Sequence, residues 1–361
     1  MGQFREGSVT FSADEGDINR GMDVFYNPEM KENRDITLAV IDTFTHGVKV
    51  ALPLAGSGVR GLRILNESHA PVQRLFLNDR SRQAMEQVRA NLDANGLTGD
   101  DRVSVHNDDA VSFLAQDQGF DYIDIDPFGS PVAFIEPAVR RISRGGIIAA
   151  TATDTAALCG SSPRAGRRKY WARPLRCDMM HEIGLRILIR RLQLAGTPYA
   201  RALTPILAYA KDHYMRVFLR STKGKRRCDD LLSSHVYIIY CPHCLHREVC
   251  AFPLLTCPKC GERSDHAGPL WGGPLAGEPD ILAGTGQHLI DAVVHESSID
   301  VPFVYDLHAI AKKYGTGDMP RRDTLIARGT ERGYRVSVSH HAGHIIRTDA
   351  PVDVVASWLT S

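Results

Sequence analysis

The stretch DYIDIDPFGSP, residues 121–131, alternates Ile with Asp and then sets a carboxylate, a proline and an aromatic ring side by side. Asp126 brings acceptor oxygens, Pro127 fixes its own φ at about −65°, and Phe128 offers a flat face for stacking. A flat ring could be gripped there beside acceptor oxygens, so Asp126, Pro127 and Phe128 are the candidate catalytic trio, working through alignment and pre-organised polar groups. The competing reading is a tight turn in which Asp126 caps the segment that follows.

Upstream, GSGVRG is a G-x-G-x-x-G from Gly56 to Gly61. Asp79 follows at about the 20-residue spacing of a ribose-binding acid. The glycines Gly56 and Gly58 with Asp79 fit NAD and S-adenosylmethionine equally well, and an ordinary strand-to-helix turn is the structural alternative. Asp109 and Ala110 can meet an adenine, the carboxylate at its amino group and the backbone N–H at a ring nitrogen. The alternative there is that Asp108 or Asp109 caps the helix AVSFLAQD. DPFG resembles the Asp/Asn-Pro-Pro-aromatic motif of amino-group methyltransferases. Nothing after it resembles a hydride-transfer site, so S-adenosylmethionine is the expected cofactor.

Such residues need a frame. VKVALPLA (48–55), VQRLFLND (72–79), RVSVHNDDA, FDYIDID and GGIIAATATD (145–154) read as five strands. Helical patterns lie between them, among them SRQAMEQVRANLDANG with Ser81 as N-cap and Gly96 as the C-terminal glycine. That alternation predicts a parallel sheet with helices on both faces. Ligands of such sheets bind at the carboxyl ends of the strands. Gly56, Asp79, Asp109, Asp126 and Asp154 all fall there.

Four of the eight cysteines form C-x2-C-x12-C-x2-C: Cys241, Cys244, Cys257 and Cys260. Two Cys-Pro-x-Cys turns suit a closed tetrahedral thiolate site, so structural Zn2+ is expected. Reduced, unligated thiols are the alternative, with Cys250, His243 and His246 as substitute ligands. SSPRAGRRKYWARPLR (161–176) sets Arg164, Arg167 and Arg168 among Tyr170 and Trp171, a pattern suited to phosphate contact and stacking. STKGKRRCDD (221–230) is a second basic run. Residues 303–350 read as helix, turn, helix and hairpin, with Arg321, Arg322 and Arg328 able to meet phosphates. His340, His341 and His344 read as exposed hairpin histidines in preference to a metal cluster.

The formal net charge of +1 announces no nucleic-acid partner by itself, so charge distribution has to carry that argument. No apolar run approaches the roughly 20 residues of a membrane span. MGQFREGSVTFSADEGD has no apolar signal core. Its Met-Gly is at most a weak myristoylation signal. The expectation is a cytoplasmic protein with no membrane and no obligate protein partner.

FYNPEMKENRD (25–35), AGSGVRGLR (55–63), NDRS (78–81), NDDA (107–110), DIDPFGSP (124–131), TATDTAALCG (151–160) and YAKDHYMR (209–216) together resemble the tRNA (guanine-26) N2-dimethyltransferases. The resemblance is strong over residues 20–220 and looser beyond. It implies an α/β fold: a class I Rossmann-like methyltransferase domain (1–235), a zinc-ribbon-like segment (236–275) and a C-terminal α+β winged-helix-like tRNA-contacting domain (276–361). It implies transfer of one or two methyl groups from S-adenosylmethionine to N2 of guanine 26 of tRNA. Arg34 and Arg63 would contact the cofactor through its methionine carboxylate. Asp79 would take its ribose, and Asp109 and Ala110 its adenine. Asp126 would be the catalytic acceptor, and Phe25 and Phe128 the walls around the guanine. LPLAG departs from many methyltransferases in lacking an acid at the end of the first strand. Two other readings stay open: an amino-group methyltransferase for adenine N6 or glutamine, and an inactive zinc and winged-helix RNA-binding protein.

Overall fold

A computed structural model describes residues 1–361 apart from 17, 18, 20, 118, 283–285, 316–319 and 361. The chain divides into two compact units: Met1–Thr151 with Phe218–Lys223, and Ala152–Val217 with Gly224–Ser361.

The first unit opens with an antiparallel hairpin, β1 (Gly2–Glu6) and β2 (Val9–Ala13). Val9, Phe11 and Ala13 alternate inward and are buried. Then follow α1 (Lys31–Ile41), β3 (Val48–Leu52), α2 (Val59–Glu67), β4 (Val72–Asn78) and α3 (Arg82–Ala94). After them come β5 (Val103–His106), α4 (Ala110–Gln116), β6 (Phe120–Ile125), α5 (Val132–Arg141) and β7 (Ile142–Ala152). The expected α/β alternation is present, and β3 to β7 pair in parallel in the order β5-β4-β3-β6-β7. Chain order reverses between β3 and β6, since β4 leaves β3 on one side and β6 flanks it on the other. A crevice opens at the carboxyl ends of the strands at such a reversal. The sheet interior is mostly Val, Ile, Leu and Ala from β3, β4, β6 and β7, with Phe76, Phe120 and Tyr122, as two covered faces require.

Local signals act as the residue types dictate. Ser81 caps α3 by accepting from the Ala84 N–H, and Gly96 follows the helix at φ +70°. β7 begins at Ile142, three residues before the run GGIIAATATD, with a register shift against β6 between Phe120 and Tyr122.

The second unit holds α6 (Thr155–Leu158), α7 (Pro163–Tyr170), α8 (Met180–Gly196), β8 (Arg201–Lys211), the first part of β9 (Tyr214–Lys223) and α9 (Lys225–Ser233). β10 (His235–Tyr240), β11 (Arg247–Cys250) and β12 (Asp265–Trp271) form an antiparallel sheet, ordered β11-β10-β12. Beyond lie α10 (Pro279–Leu282), α11 (His288–Ser297), β13 (Tyr305–Asp306), α12 (Leu307–Tyr314), α13 (Arg322–Glu331), β14 (Val336–Val338), β15 (Ile345–Thr348) and α14 (Val352–Thr360). β13, β15 and β14 form a small antiparallel sheet.

An ionic cluster is buried in this unit. Glu182 on α8 accepts from Arg186 Nε at 2.7 Å, Arg347 Nη2 at 2.9 Å and His341 Nε2 at 2.9 Å. Glu296 meets His340 and, at 3.4 Å, Arg347 Nε. The His340 and His341 side chains are almost wholly enclosed, which corrects the expectation of exposed hairpin histidines. Each is buried because a carboxylate waits for it on a distant helix. His344 stays partly exposed and stacks on His308, with ring centroids 4.4 Å apart.

Candidate active site and cysteine cluster

The crevice at the reversal is lined by Leu52 at the end of β3, by Leu54 and Gly56 after it, by Asp124 near the end of β6 and by Asp126 just past it. Phe25, Arg34 and Arg60 are also among its lining residues. Gly56 has φ +55°, and a Cβ there would lie 3.0 Å from the Phe25 carbonyl oxygen. Gly58, at φ +79°, is the N-cap of α2. Both positions need a residue without a side chain. The turn is stitched in place: the Ser57 N–H donates to the Phe25 carbonyl at 3.0 Å and the Ala55 N–H to the Asn78 carbonyl at 2.8 Å.

Asp79 lies just past β4. Its Oδ2 accepts from the Gly56 N–H at 3.0 Å and its Oδ1 from the Ser81 N–H at 3.1 Å. The carboxylate therefore fixes the glycine turn, and each oxygen retains a lone pair for a ligand. Asp109 is the N-cap of α4, with Oδ1 accepting from the Val111 and Ser112 N–H groups at 2.9 and 3.3 Å. That cap leaves Oδ2 and the Ala110 N–H, and the cap and ligand readings are compatible. Asp108 is spent locally, on the Asp109 N–H and on Gln116 Nε2. Asn78, fully buried, donates to the Pro53 and Asp108 carbonyls and accepts from the Asp108 N–H, tying the ends of β3, β4 and β5 together. Sequence reading missed this tie, although Asn in NDRS at a strand end was its signal.

The arginines divide. Arg34 is buried and lines the crevice; its Nε and Nη2 are held by Glu6, and Nη2 also by the Asn27 carbonyl. Arg63 is enclosed by three carboxylates, Glu6, Asp35 and Glu67, and stands outside the crevice lining. Its nitrogens are all engaged, so it presents no fork to a methionine carboxylate. Burial pushes Glu6 up, yet its bonds to Arg34 and Arg63 win and hold it below the usual carboxylate range. Burial and then Glu6 push Tyr26 up to about 12. Glu6 was not among the sequence candidates; it comes from the N-terminal hairpin, whose alternation was the available signal.

Arg60 is the other residue sequence reading missed. It donates from Nη2 to Asp126 Oδ2 at 2.5 Å and from Nη1 to Thr37 Oγ1 at 2.6 Å. It occupied an unassigned position of G-x-G-x-x-G. Phe25 and Phe128 touch edge to face, with centroids 4.4 Å apart. Phe128 is 39% exposed.

The four cysteines converge. Cys241 Sγ lies 3.6 Å from Cys260 Sγ and Cys244 Sγ 3.7 Å from Cys257 Sγ, with all four sulfurs within 4.8 Å of one another. Two equivalent turns present them. The Cys241 N–H donates to the His246 carbonyl and the Leu245 N–H back to Cys241; Cys257, Glu262 and Gly261 repeat both bonds. Leu245 and Gly261 sit at the matching left-handed position, φ +57° and +77°. Cys250 bonds the Tyr237 carbonyl and His246 meets Glu248, so the substitute ligands lie elsewhere. Arg164, Arg167 and Arg168 are exposed on α7, while Lys169 and Tyr170 are tied to Asp154.

The sequence model of the N2,N2-dimethylguanosine tRNA methyltransferase family matches residues 6–360. The chain belongs to that family. It is 36% identical to a tRNA (guanine(26)-N(2))-dimethyltransferase of Methanosphaerula palustris, over 99% of this chain and 98% of that protein. It is 41% identical to a tRNA (guanine(26)-N(2)/guanine(27)-N(2))-dimethyltransferase of Aquifex aeolicus, over 64% of this chain; the match spans 60% of that protein. Among solved structures it is similar to Trm1 from Pyrococcus horikoshii in complex with S-adenosyl-L-methionine, at a TM-score of 0.89 and 31% identity over the whole of both chains. The methyltransferase fold is thus shared with this family. No helix among the described residues is long and apolar enough to cross a membrane.

Proposed function

We propose that this chain transfers methyl groups from S-adenosylmethionine to the exocyclic N2 of guanine 26 of tRNA, giving N2-methyl- and then N2,N2-dimethylguanine. The observation that carries the reading is Asp126, a crevice-lining carboxylate at the end of β6, across from a glycine turn already braced by Asp79. The donor set fits the cofactor: lone pairs on Asp79 for ribose hydroxyls, Asp109 Oδ2 and the Ala110 N–H for adenine, and the unengaged nitrogen of Arg34 for a carboxylate. Bound there, S-adenosylmethionine supplies an electrophilic methyl group on a sulfonium. Asp126 accepts from the guanine amine and holds it in line, with Pro127 stiffening the backbone that carries it.

The guanine must leave its helical stack, at a cost of a few kcal/mol. Phe25 and Phe128 replace its stacking neighbours, at roughly 1–3 kcal/mol per base–aromatic contact. Arg164, Arg167 and Arg168 on exposed α7 offer cations for tRNA phosphates. Residues 1–235 form the catalytic part in this reading and 276–361 a winged-helix-like tRNA-contacting part. Cys241, Cys244, Cys257 and Cys260 in 236–275 hold one structural Zn2+. Zinc–thiolate bonds of about 2.3 Å at tetrahedral angles put sulfurs roughly 3.8 Å apart, and the two short sulfur pairs at 3.6 and 3.7 Å fit that edge. A cytoplasmic location suits a tRNA substrate.

The test is mass analysis of nucleosides from unmodified tRNA incubated with protein and labelled cofactor. Wild type is expected to give both methylguanines, and to give none on a transcript with adenine at position 26. Asp126→Ala is expected to lose at least about a hundredfold in rate while keeping its cofactor affinity. Label appearing in N6-methyladenine, or undiminished transfer by Asp126→Ala, would overturn the reading.

A further inference from the structure

Asp126 differs from the other strand-end acids in what holds it. Asp79 and Asp109 are fixed by backbone N–H groups. Asp126 Oδ2 is gripped by a guanidinium, Arg60 Nη2, at 2.5 Å. Arg60 is itself buried and held from behind. Its Nη1 donates to Thr37 Oγ1 at 2.6 Å and lies 3.5 Å from Asp124 Oδ2. The same Asp124 oxygen accepts from the Tyr122 hydroxyl at 2.8 Å. Thr37 in turn bonds the Asn33 carbonyl on α1. A planar fork is thereby locked against α1, β6 and the reacting end of the crevice.

We propose that Arg60 is the positioning residue of the methyl transfer. It pins Asp126 through Oδ2 and turns Oδ1 toward the amine that attacks. The inference rests on the methyl-transfer reading above. A lone aspartate after a strand has two free side-chain torsions, and a guanidinium that takes one of its oxygens removes that freedom before substrate arrives. The fork matters as much as the charge, because one planar group meets Thr37, Asp124 and Asp126 together, which the point charge of a lysine does not reproduce. Asp124 has a second role here. Its buried carboxylate offsets the Arg60 charge, so the grip on Asp126 adds no net positive charge beside a sulfonium. In the transfer the guanine nitrogen bonds the methyl carbon as the carbon–sulfur bond breaks. The electron pair stays on sulfur as a neutral thioether, and the nitrogen releases one proton, which Asp126 Oδ1 is placed to accept.

The experiment compares wild type, Arg60→Lys, Arg60→Ala and Asp126→Asn on the full chain with tRNA and cofactor, measuring kcat, KM for each substrate and cofactor affinity by calorimetry. Arg60→Ala is expected to lower kcat about 10- to 100-fold, the scale of a misplaced catalytic group, with cofactor affinity within about twofold. Arg60→Lys is expected to recover little, whereas free guanidinium added to Arg60→Ala restores part of kcat. That rescue separates positioning from a loss of folding. Adding Arg60→Ala to Asp126→Asn is expected to cost no further rate. If Arg60→Ala weakens cofactor affinity tenfold or more at unchanged kcat, Arg60 is a cofactor ligand and the inference falls. It also falls if the double variant multiplies the two losses. A wild-type chain that leaves tRNA unmethylated overturns the functional reading and this inference with it; normal wild-type activity with an unaffected Arg60→Ala overturns the inference alone.

Discussion

Glu182→Gln should destabilise the second unit far more than an isosteric change normally does. The wild-type cluster balances two carboxylates, Glu182 and Glu296, against two guanidiniums, Arg186 and Arg347, all buried. Burial pushes Glu182 up, but Arg347 and then Arg186 overcome it and hold it well below the carboxylate range. The amide keeps the shape and removes one of the two negative charges, leaving Arg186 and Arg347 facing Glu296 alone. Removing one partner of a buried ion pair costs about 3–5 kcal/mol. At roughly 2–4 °C per kcal/mol for a unit of this size, the melting midpoint should fall about 6–20 °C. Tryptophan fluorescence reads this unit selectively, because Trp171, Trp271 and Trp358 all belong to it. The pH dependence follows with its sign. Burial and then His340 lower His341 to about 4 from its ordinary 6.5. Between those values the unfolded chain takes a proton that the folded one refuses, so stability falls on acidification, by on the order of 3 kcal/mol from this group. Burial raises Glu296, but His340 and Arg347 bring it down to about 2. Below pH 4.5 the unfolded carboxylates protonate first and stability falls again, a limb that Glu182→Gln should make shallower. A midpoint shift under about 2 °C, or stability that rises as pH drops from 7 to 5, would refute the reasoning.

Cys241→Ser with Cys244→Ser should release one zinc per chain and loosen residues 241–260, read by metal analysis and hydrogen exchange; metal-free wild type prepared without chelator would end the zinc assignment. Phe128→Ala should lower kcat about 5- to 150-fold, as befits a stacking contact of roughly 1–3 kcal/mol, while total tRNA affinity by filter binding changes little. A normal methylation rate in that variant would remove Phe128 from base capture.

The sheet was legible because period-two apolar runs and capped helices alternate, and each acid closing a strand could be placed at one edge. Ser81 and Gly96 fell where their chemistry put them. The cysteines were legible because both turns repeat one local pattern. What escaped depends on distant partners. Arg34 and Arg63 looked alike as basic residues in a cofactor region, but Glu6 and Asp35 absorb Arg63, and no periodicity reports an ion pair spanning 57 residues. The same holds for His340 and His341, polar in sequence and buried by Glu296 and Glu182 on other helices. Arg60 escaped because the glycine motif explains its neighbours and leaves that position blank.

The two aromatic walls proposed for the guanine are not equivalent. A base held face to face between two rings needs them roughly 7 Å apart, two van der Waals contacts of about 3.5 Å. Phe25 and Phe128 have centroids 4.4 Å apart and cross at 70°, so one must move before guanine enters. The Phe25 carbonyl is bound by the Ser57 N–H, and its chain packs on the Gly56 turn. Moving Phe25 would disturb the turn that Asp79 braces. Phe128 is more exposed and precedes Gly129, which sits at φ +85°. It is therefore the wall expected to move when a base enters. Arg60 then has a second consequence: with Asp126 pinned to α2, the ring two residues on can open while the acceptor stays aimed.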